Sequence, residues 1–159
     1  MTEPAVQETG DPVPVRIGLM QPGHRAFVVN TWTEHYRHSS VARPIFGPVY
    51  FHEQRRLVDA LLDAKGVVSI VASNPADESH VLGWLVAEPG PSEGSILHYA
   101  FVKEVMRGFG IFGQMRERLT SDLGEVRFLS HLPPREPEWV NRKLREYRWT
   151  YDPYVLCRR

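Results

Sequence analysis

HYAFVKEVMRGFGIFGQMRERL, residues 98–119, is the stretch whose reading decides the fold. A strand rich in β-branched and aromatic residues, SILHYAFVK (95–103), runs into Arg107-Gly108-Phe109-Gly110-Ile111. Ile111, Met115 and Leu119 then fall four residues apart, the spacing of one helical face, so a helix is expected from Gly110. Chemistry follows from that order. Glycines let the backbone approach a ligand closely, and the unpaired N–H groups of a helix start, with the helix dipole, favour an anion such as a phosphate. The turn has no lysine followed by Ser or Thr, so it is not a P-loop, and it lacks the G-x-G-x-x-G spacing of a dinucleotide fold.

Working outward, VLGWLVAE (81–88) and VVSIVAS (67–73) read as strands, joined to each other and to 95–103 by short turns. The three are therefore expected to be antiparallel neighbours. VRIGLM (15–20) is a first strand and VRFLS (126–130) a fifth. Val29, Trp32 and Tyr36 mark a helix over 24–38, and Leu57, Val58, Leu61 and Leu62 a second over 51–65 ending at Lys65-Gly66. Residues 39–48, with Pro44, Gly47 and Pro48, read as a loop. Val140, Leu144 and Tyr147 mark a last helix, and YDPYVLC (151–157), interrupted by Pro153, a last strand at a sheet edge. The order β–α–α–β–β–β–α–β–α–β predicts an α/β (α+β) layer fold: a mixed, mostly antiparallel sheet with helices on both faces.

The 159 residues suit one domain, expected over 15–159 behind a flexible arm at 1–14 that carries Pro4, Pro12 and Pro14. Nineteen basic residues balance nineteen acidic ones, which removes the global charge argument for a nucleic-acid or membrane-surface binder. Cys157 is the sole cysteine, so no internal disulfide and no cysteine-built zinc site can form. The N-terminus has no basic start and no apolar core, unlike a signal peptide, and no apolar run approaches the ~18 residues of a bilayer span. A cytoplasmic protein without membrane partners is the expectation.

In this setting the turn resembles the hallmark of the GCN5-related N-acetyltransferase (GNAT) family, Arg/Gln-x-x-Gly-x-Gly/Ala at the join of the fourth strand and third helix. Arg107, Gly108, Phe109, Gly110 and Ile111 stand in the expected places, and the element order is similar to the family's from Val15 to Leu156. Phe112 stands where the family usually carries Gly or Ala, with Gly113 one residue later. The resemblance implies acetyl-CoA, or another acyl-CoA, as co-substrate. The backbone amides from Arg107 to Phe112 would hold the pyrophosphate, and the strand backbone near Phe101 and Val102 would pair with the pantetheine arm. Acyl would pass directly to an amine, which requires a neutral amine, a donor for the oxyanion and a proton for the leaving thiolate.

Candidate acid and base groups are His98, Glu88 and Tyr147. By strand alternation His98 is expected on the side opposite Tyr99. A histidine with an ordinary pKa near 6.5 suits proton transfer, and a hydrogen-bonded sheet histidine is the plainer reading. Glu88 precedes Pro89-Gly90 and reads equally as a base or a solvated turn carboxylate. Tyr147 is a nearby phenol, at a spacing from Asn141 and Trp149 that does not match the family's tyrosine. Trp32, Tyr36, Arg37, Ser39 and Arg43 are candidates for the acceptor wall, although Trp32 and Tyr36 also match a core helix face. His35 and His38 lie at i, i+3 without a third ligand, and no metal is expected. Arg25, Arg37, Arg43, Arg55 and Arg56 stand against only Glu34 and Glu53 in residues 24–58, so a nucleotide or nucleic acid is an alternative to a small-molecule acceptor. A GNAT-fold binding or regulatory module without catalysis is the other alternative, and a homodimer is compatible with either.

Overall fold

The computed structural model describes residues 13–155. Most of the arm expected over 1–14, and the end of the chain with Cys157, lie outside the described residues. Six strands form one sheet in the order β1-β2-β3-β4-β5-β6: Arg16–Leu19, Val68–Asn74, Asp77–Pro89, Ser95–Val102, Val126–Leu129 and Thr150–Tyr151. Strands β1 to β4 pair antiparallel, whereas β5 and β6 join parallel. The mixed, mostly antiparallel sheet is as the alternation of elements predicts.

Helices α1 (Arg25–Tyr36) and α2 (Gly47–Asp63) cover one face, and α3 (Ile111–Leu123) covers the other. Val71, Trp84, Val86 and Tyr99 point to the first face, where Trp32 of α1 stacks on Tyr99 with ring centroids 5.5 Å apart and planes 6° apart. Aromatic pairs of this kind add about 0.5–1.5 kcal/mol beyond their burial. Ile70, Leu82, Leu85 and Leu97 meet Ile111, Met115 and Leu119 on the other face. Leu144 of α4 (Pro137–Tyr147) packs against that second cluster.

Three boundaries differ from the sequence reading, each for a local reason. The loop expected over 39–48 lies two residues earlier, between Tyr36 and Gly47, because α2 opens at Gly47 with Pro48 in its first turn, where a missing N–H is harmless. Strand β3 begins at Asp77 rather than 81, leaving a tight turn at Pro75-Ala76. The last strand is Thr150–Tyr151 and stops ahead of Pro153, not a run over 151–157, since Asp152 to Val155 form a turn. It does occupy the sheet edge, pairing with β5 alone among the described strands.

Candidate active site

Strand β4 creates the site by leaving its neighbour. The β4–β5 ladder runs Ser95↔Val126, Ile96↔Phe128, Leu97↔Leu129 and closes with the Ser130 amide donating to the Leu97 carbonyl at 3.3 Å. Beyond Leu97 the strand continues to Val102 with β3 as its partner and no ladder to β5. A β-bulge causes the departure. Val86 pairs with Tyr99 and Ala87 with Leu97, so His98 is one residue too many on β4.

The bulge also corrects the expected position of His98. Leu97 belongs to the α3-side core and Tyr99 to the α1-side core, so ordinary alternation fails at His98. Its imidazole lies on the Tyr99 side, with Nε2 3.3 Å from the carboxylate of Glu88, which shares the β3 face of Trp84 and Val86.

The wedge between β4 and β5 is a cleft of about 300 Å³. Tyr99, Phe101 and His35 form its α1 side, while Trp139, Leu144 and Tyr147 of α4 close the opposite wall. Along its floor run the polar groups of an unpaired strand edge. The Lys103 amide donates to the Leu82 carbonyl, so in the antiparallel alternation Phe101 also turns its amide and carbonyl to β3. Ala100 and Val102 therefore present theirs to the cleft, and the Val102 carbonyl already accepts a bond from Arg107 Nε at 3.1 Å. Of the two residues expected to pair with a pantetheine arm, Val102 offers its backbone and Phe101 its ring.

The open edge leads to the glycine turn. Gly108 (φ +82°) and Gly110 (φ +75°, the N-cap of α3) occupy the left-handed region that side chains rarely adopt, and a Cβ at either would meet nothing within 4 Å. The backbone is thus bent so that the first-turn amides of α3 emerge without intrahelical acceptors. Ile111 buries its side chain in the core, Phe109 is exposed, and Phe112 faces the cleft, its ring against Trp149 at 6.5 Å. Arg107, Arg135 and Lys143 line the cleft, and no carboxylate lines it among the described residues. That charge balance suits an anionic ligand.

Three groups of the cleft, His35, Tyr99 and His131, are held neutral. His35 Nδ1 lies 2.8 Å from the Tyr99 hydroxyl. Burial, then the positive charges of Arg107, Arg135 and His38, push His35 down to about 4. Burial pushes the Tyr99 phenol far above its ordinary range. His131, at the end of β5, is pushed down to about 4 by burial and by neighbouring His98. It meets Trp32 and Tyr36 edge-on at 5.8 and 5.1 Å.

The other sequence candidates are dispersed. Glu88 is buried against His98 and is not a solvated turn carboxylate. Tyr147 lines the cleft at the far end of α4, stacked on Trp149 at 4.6 Å with Arg116 and Lys143 over its ring. Trp32 and Tyr36 belong to the core behind His131 and Tyr99. Ser39 is buried, accepting the Ala42 amide at 3.1 Å. Arg37 donates to the carbonyls of Ala42 and Ile45 at 2.8 Å each and lies over Tyr50, and Arg43 donates to the His38 carbonyl. The arginine-rich first third is likewise engaged. Arg25 pairs with Asp59 and Asp63, Arg56 with Glu53, and Arg55 bonds Asn30. Among the described residues no group of three His, Cys, Asp or Glu converges as a metal site, and no helix is long and apolar enough to cross a membrane.

Three solved structures superpose on this fold. The histone acetyltransferase HPA2 and related acetyltransferase of Corynebacterium glutamicum superposes with a TM-score of 0.57 at 10% identity, over 71% of this chain and 74% of that one. An aminoglycoside 6'-N-acetyltransferase of Acinetobacter baumannii gives 0.53 at 12% identity, over 86% and 91%. A GNAT-family acetyltransferase of Staphylococcus aureus gives 0.50 at 12% identity, over 69% and 66%. The chain has the GNAT fold. No family model and no curated protein matches it by sequence.

Sequence reasoning did not single out Tyr99, Ser130, His131, Arg135, Trp139 or Lys143. Ser130-His131 directly follows the fifth strand in SHLPPRE, and a polar pair at the end of a parallel strand beside β4 was the available signal. His35 entered only as half of a metal pair.

Proposed function

We propose that the protein is an acyl-CoA-dependent N-acyltransferase, with acetyl-CoA the expected donor. One observation carries the reading: the β4 edge at Ala100 and Val102, free of β5, leads straight to the Gly108–Gly110 turn and the α3 amides. A strand edge suits the amide groups of a pantetheine arm, which would add to the sheet as another strand. The helix start and Arg107 suit the pyrophosphate. In this pose the thioester lies beside the bulge, among neutral His35, Tyr99 and His131. When bound, acyl-CoA supplies the activated acyl group. The chain aligns an amine with it, excludes water behind Trp139 and Phe101, and handles the protons. Neutral imidazoles and a neutral phenol can each accept or donate a hydrogen bond at the reacting centre.

Phe112 favours a second reading, a binding or regulatory module without catalysis, because its ring occupies the helix turn where the hallmark has a small residue. Calorimetry with acetyl-CoA and with free CoA, followed by release of free thiol in the presence of a panel of primary amines, tests both. Binding with thiol release supports the transferase, binding alone supports the module, and no binding at millimolar ligand refutes the transferase and leaves the module in its place.

A further inference from the structure

Behind the cleft, four polar side chains lie in line through the protein interior. Glu88 and His98 are buried, and the Glu88 Oε2 to His98 Nε2 distance is 3.3 Å. His98 Nδ1 lies 2.8 Å from the hydroxyl of buried Ser130, and that hydroxyl lies 2.8 Å from His131 Nδ1. Half-buried His131 lines the cleft. Imidazole, hydroxyl and imidazole thus form a hydrogen-bonded chain from the sheet interior to the cleft wall, with the Glu88 carboxylate at ion-pair distance from its inner end. We propose that this chain is a proton relay, with His131 the catalytic base that takes the proton of the acceptor ammonium and Ser130, His98 and Glu88 the groups that carry it away. The proposal rests on the acyltransferase reading for its substrate, but its geometry does not.

The polarity of the relay follows from the donor and acceptor inventory. A carboxylate only accepts, and its negative charge 3.3 Å from His98 Nε2 favours the ring hydrogen on that nitrogen. A neutral imidazole has one ring hydrogen, so His98 Nδ1 is bare and accepts the Ser130 hydroxyl. The Ser130 oxygen then accepts the Nδ1 hydrogen of His131, which leaves His131 Nε2 bare as a base. When an ammonium gives its proton to His131 Nε2, the Nδ1 proton passes to the Ser130 oxygen as Ser130 passes its own to His98 Nδ1. One proton has left the amine and one has arrived on His98, now an imidazolium beside a carboxylate. The His131 ring and the Ser130 oxygen have each given one proton and taken one. His131 has a reason not to keep the charge, since burial holds it down to about 4. The titratable groups against this chain include Tyr36 of α1, whose phenol burial keeps neutral, Glu88 of β3, and the two histidines themselves.

Nitrogen-15 NMR of the imidazoles in the full chain tests the relay without acceptor or cofactor. At pH 7.5 the expected spectrum has His98 as the Nε2–H tautomer and His131 as the Nδ1–H tautomer. On acidification the two rings should titrate together, as sites coupled by more than about 1 pK unit do. Ser130→Ala should uncouple them into separate steps, Ser130→Thr should restore the joint step, and Glu88→Gln, whose amide can donate as well as accept, should scramble the tautomers. Independent titration of the rings in the wild-type chain, or a coupling that survives in Ser130→Ala, overturns the relay. Calorimetry with acetyl-CoA on the same samples separates this outcome from a failure of the acyltransferase reading, because Ser130→Ala leaves the expected cofactor contacts intact.

Discussion

Acid should weaken this protein well above the pH at which its carboxylates titrate, and two histidines set the amount. His35 and His131 are both pushed from 6.5 to about 4, mainly by burial. An unfolded chain takes up their protons below about pH 6.5, whereas the folded chain refuses them until about pH 4, so stability is present above that window and lost as pH falls through it. For a fully shielded site, moving from pH 7.5 to 4.5 costs about 2.5 kcal/mol per histidine. Both rings border an open cleft and are partly screened, so about 1–2 kcal/mol each is expected, or 2–4 kcal/mol together. That is a large share of the 5–15 kcal/mol typical of a folded domain. Urea unfolding at pH 7.5, 6.5, 5.5 and 4.5 measures it, with His35→Gln and His131→Gln each removing about half of the loss. Stability that stays flat over this range, or variants that keep the wild-type slope, would refute the assignment of both rings as neutral in the folded state.

Three further outcomes follow from particular contacts. Gly110→Ala places a Cβ at φ +75° without any clash, so it should cost about 1–2 kcal/mol in thermal unfolding while weakening acetyl-CoA binding in calorimetry; full affinity would remove the turn from the pyrophosphate site. Arg37→Ala should destabilise by about 1–2 kcal/mol, since a part-buried and an exposed carbonyl bond and the contact over the Tyr50 ring are lost, and should leave cofactor affinity unchanged; a change in affinity would return Arg37 to the cleft. Phe112→Ala should hold or improve acetyl-CoA affinity by restoring the small residue of the hallmark, at the cost of the contact to Trp149 in thermal stability.

The fold was legible because it is written in periodicity. β-branched runs and short turns at 67–103 specify the antiparallel sheet, and four-residue spacing at Ile111, Met115 and Leu119 specifies α3. The glycine turn was legible too, since Gly108 and Gly110 adopt the positive φ that only their composition permits cheaply. The chemistry of the cleft was not. A single extra residue at His98 reverses the face its ring occupies, and no local pattern in SILHYAFVK distinguishes a bulged strand from a regular one. Arginine counting also misled, because sequence shows Arg37 and Arg43 as charges while the fold uses them to tie carbonyls in the turn after α1. His98 of β4, the Ser130-His131 pair after β5 and His35 of α1 converge from different elements, and convergence of that kind exists only in three dimensions.

The central claim is that the edge of β4 and the start of α3 hold one acyl-CoA molecule. Titrating acetyl-CoA into nitrogen-15-labelled protein tests it residue by residue. The account predicts saturable shifts of the amides at Ala100, Val102 and residues 108–113, with Phe101 and the α1–α2 turn at 37–45 less affected. Shifts confined to other surfaces, or none at millimolar acetyl-CoA, would contradict it.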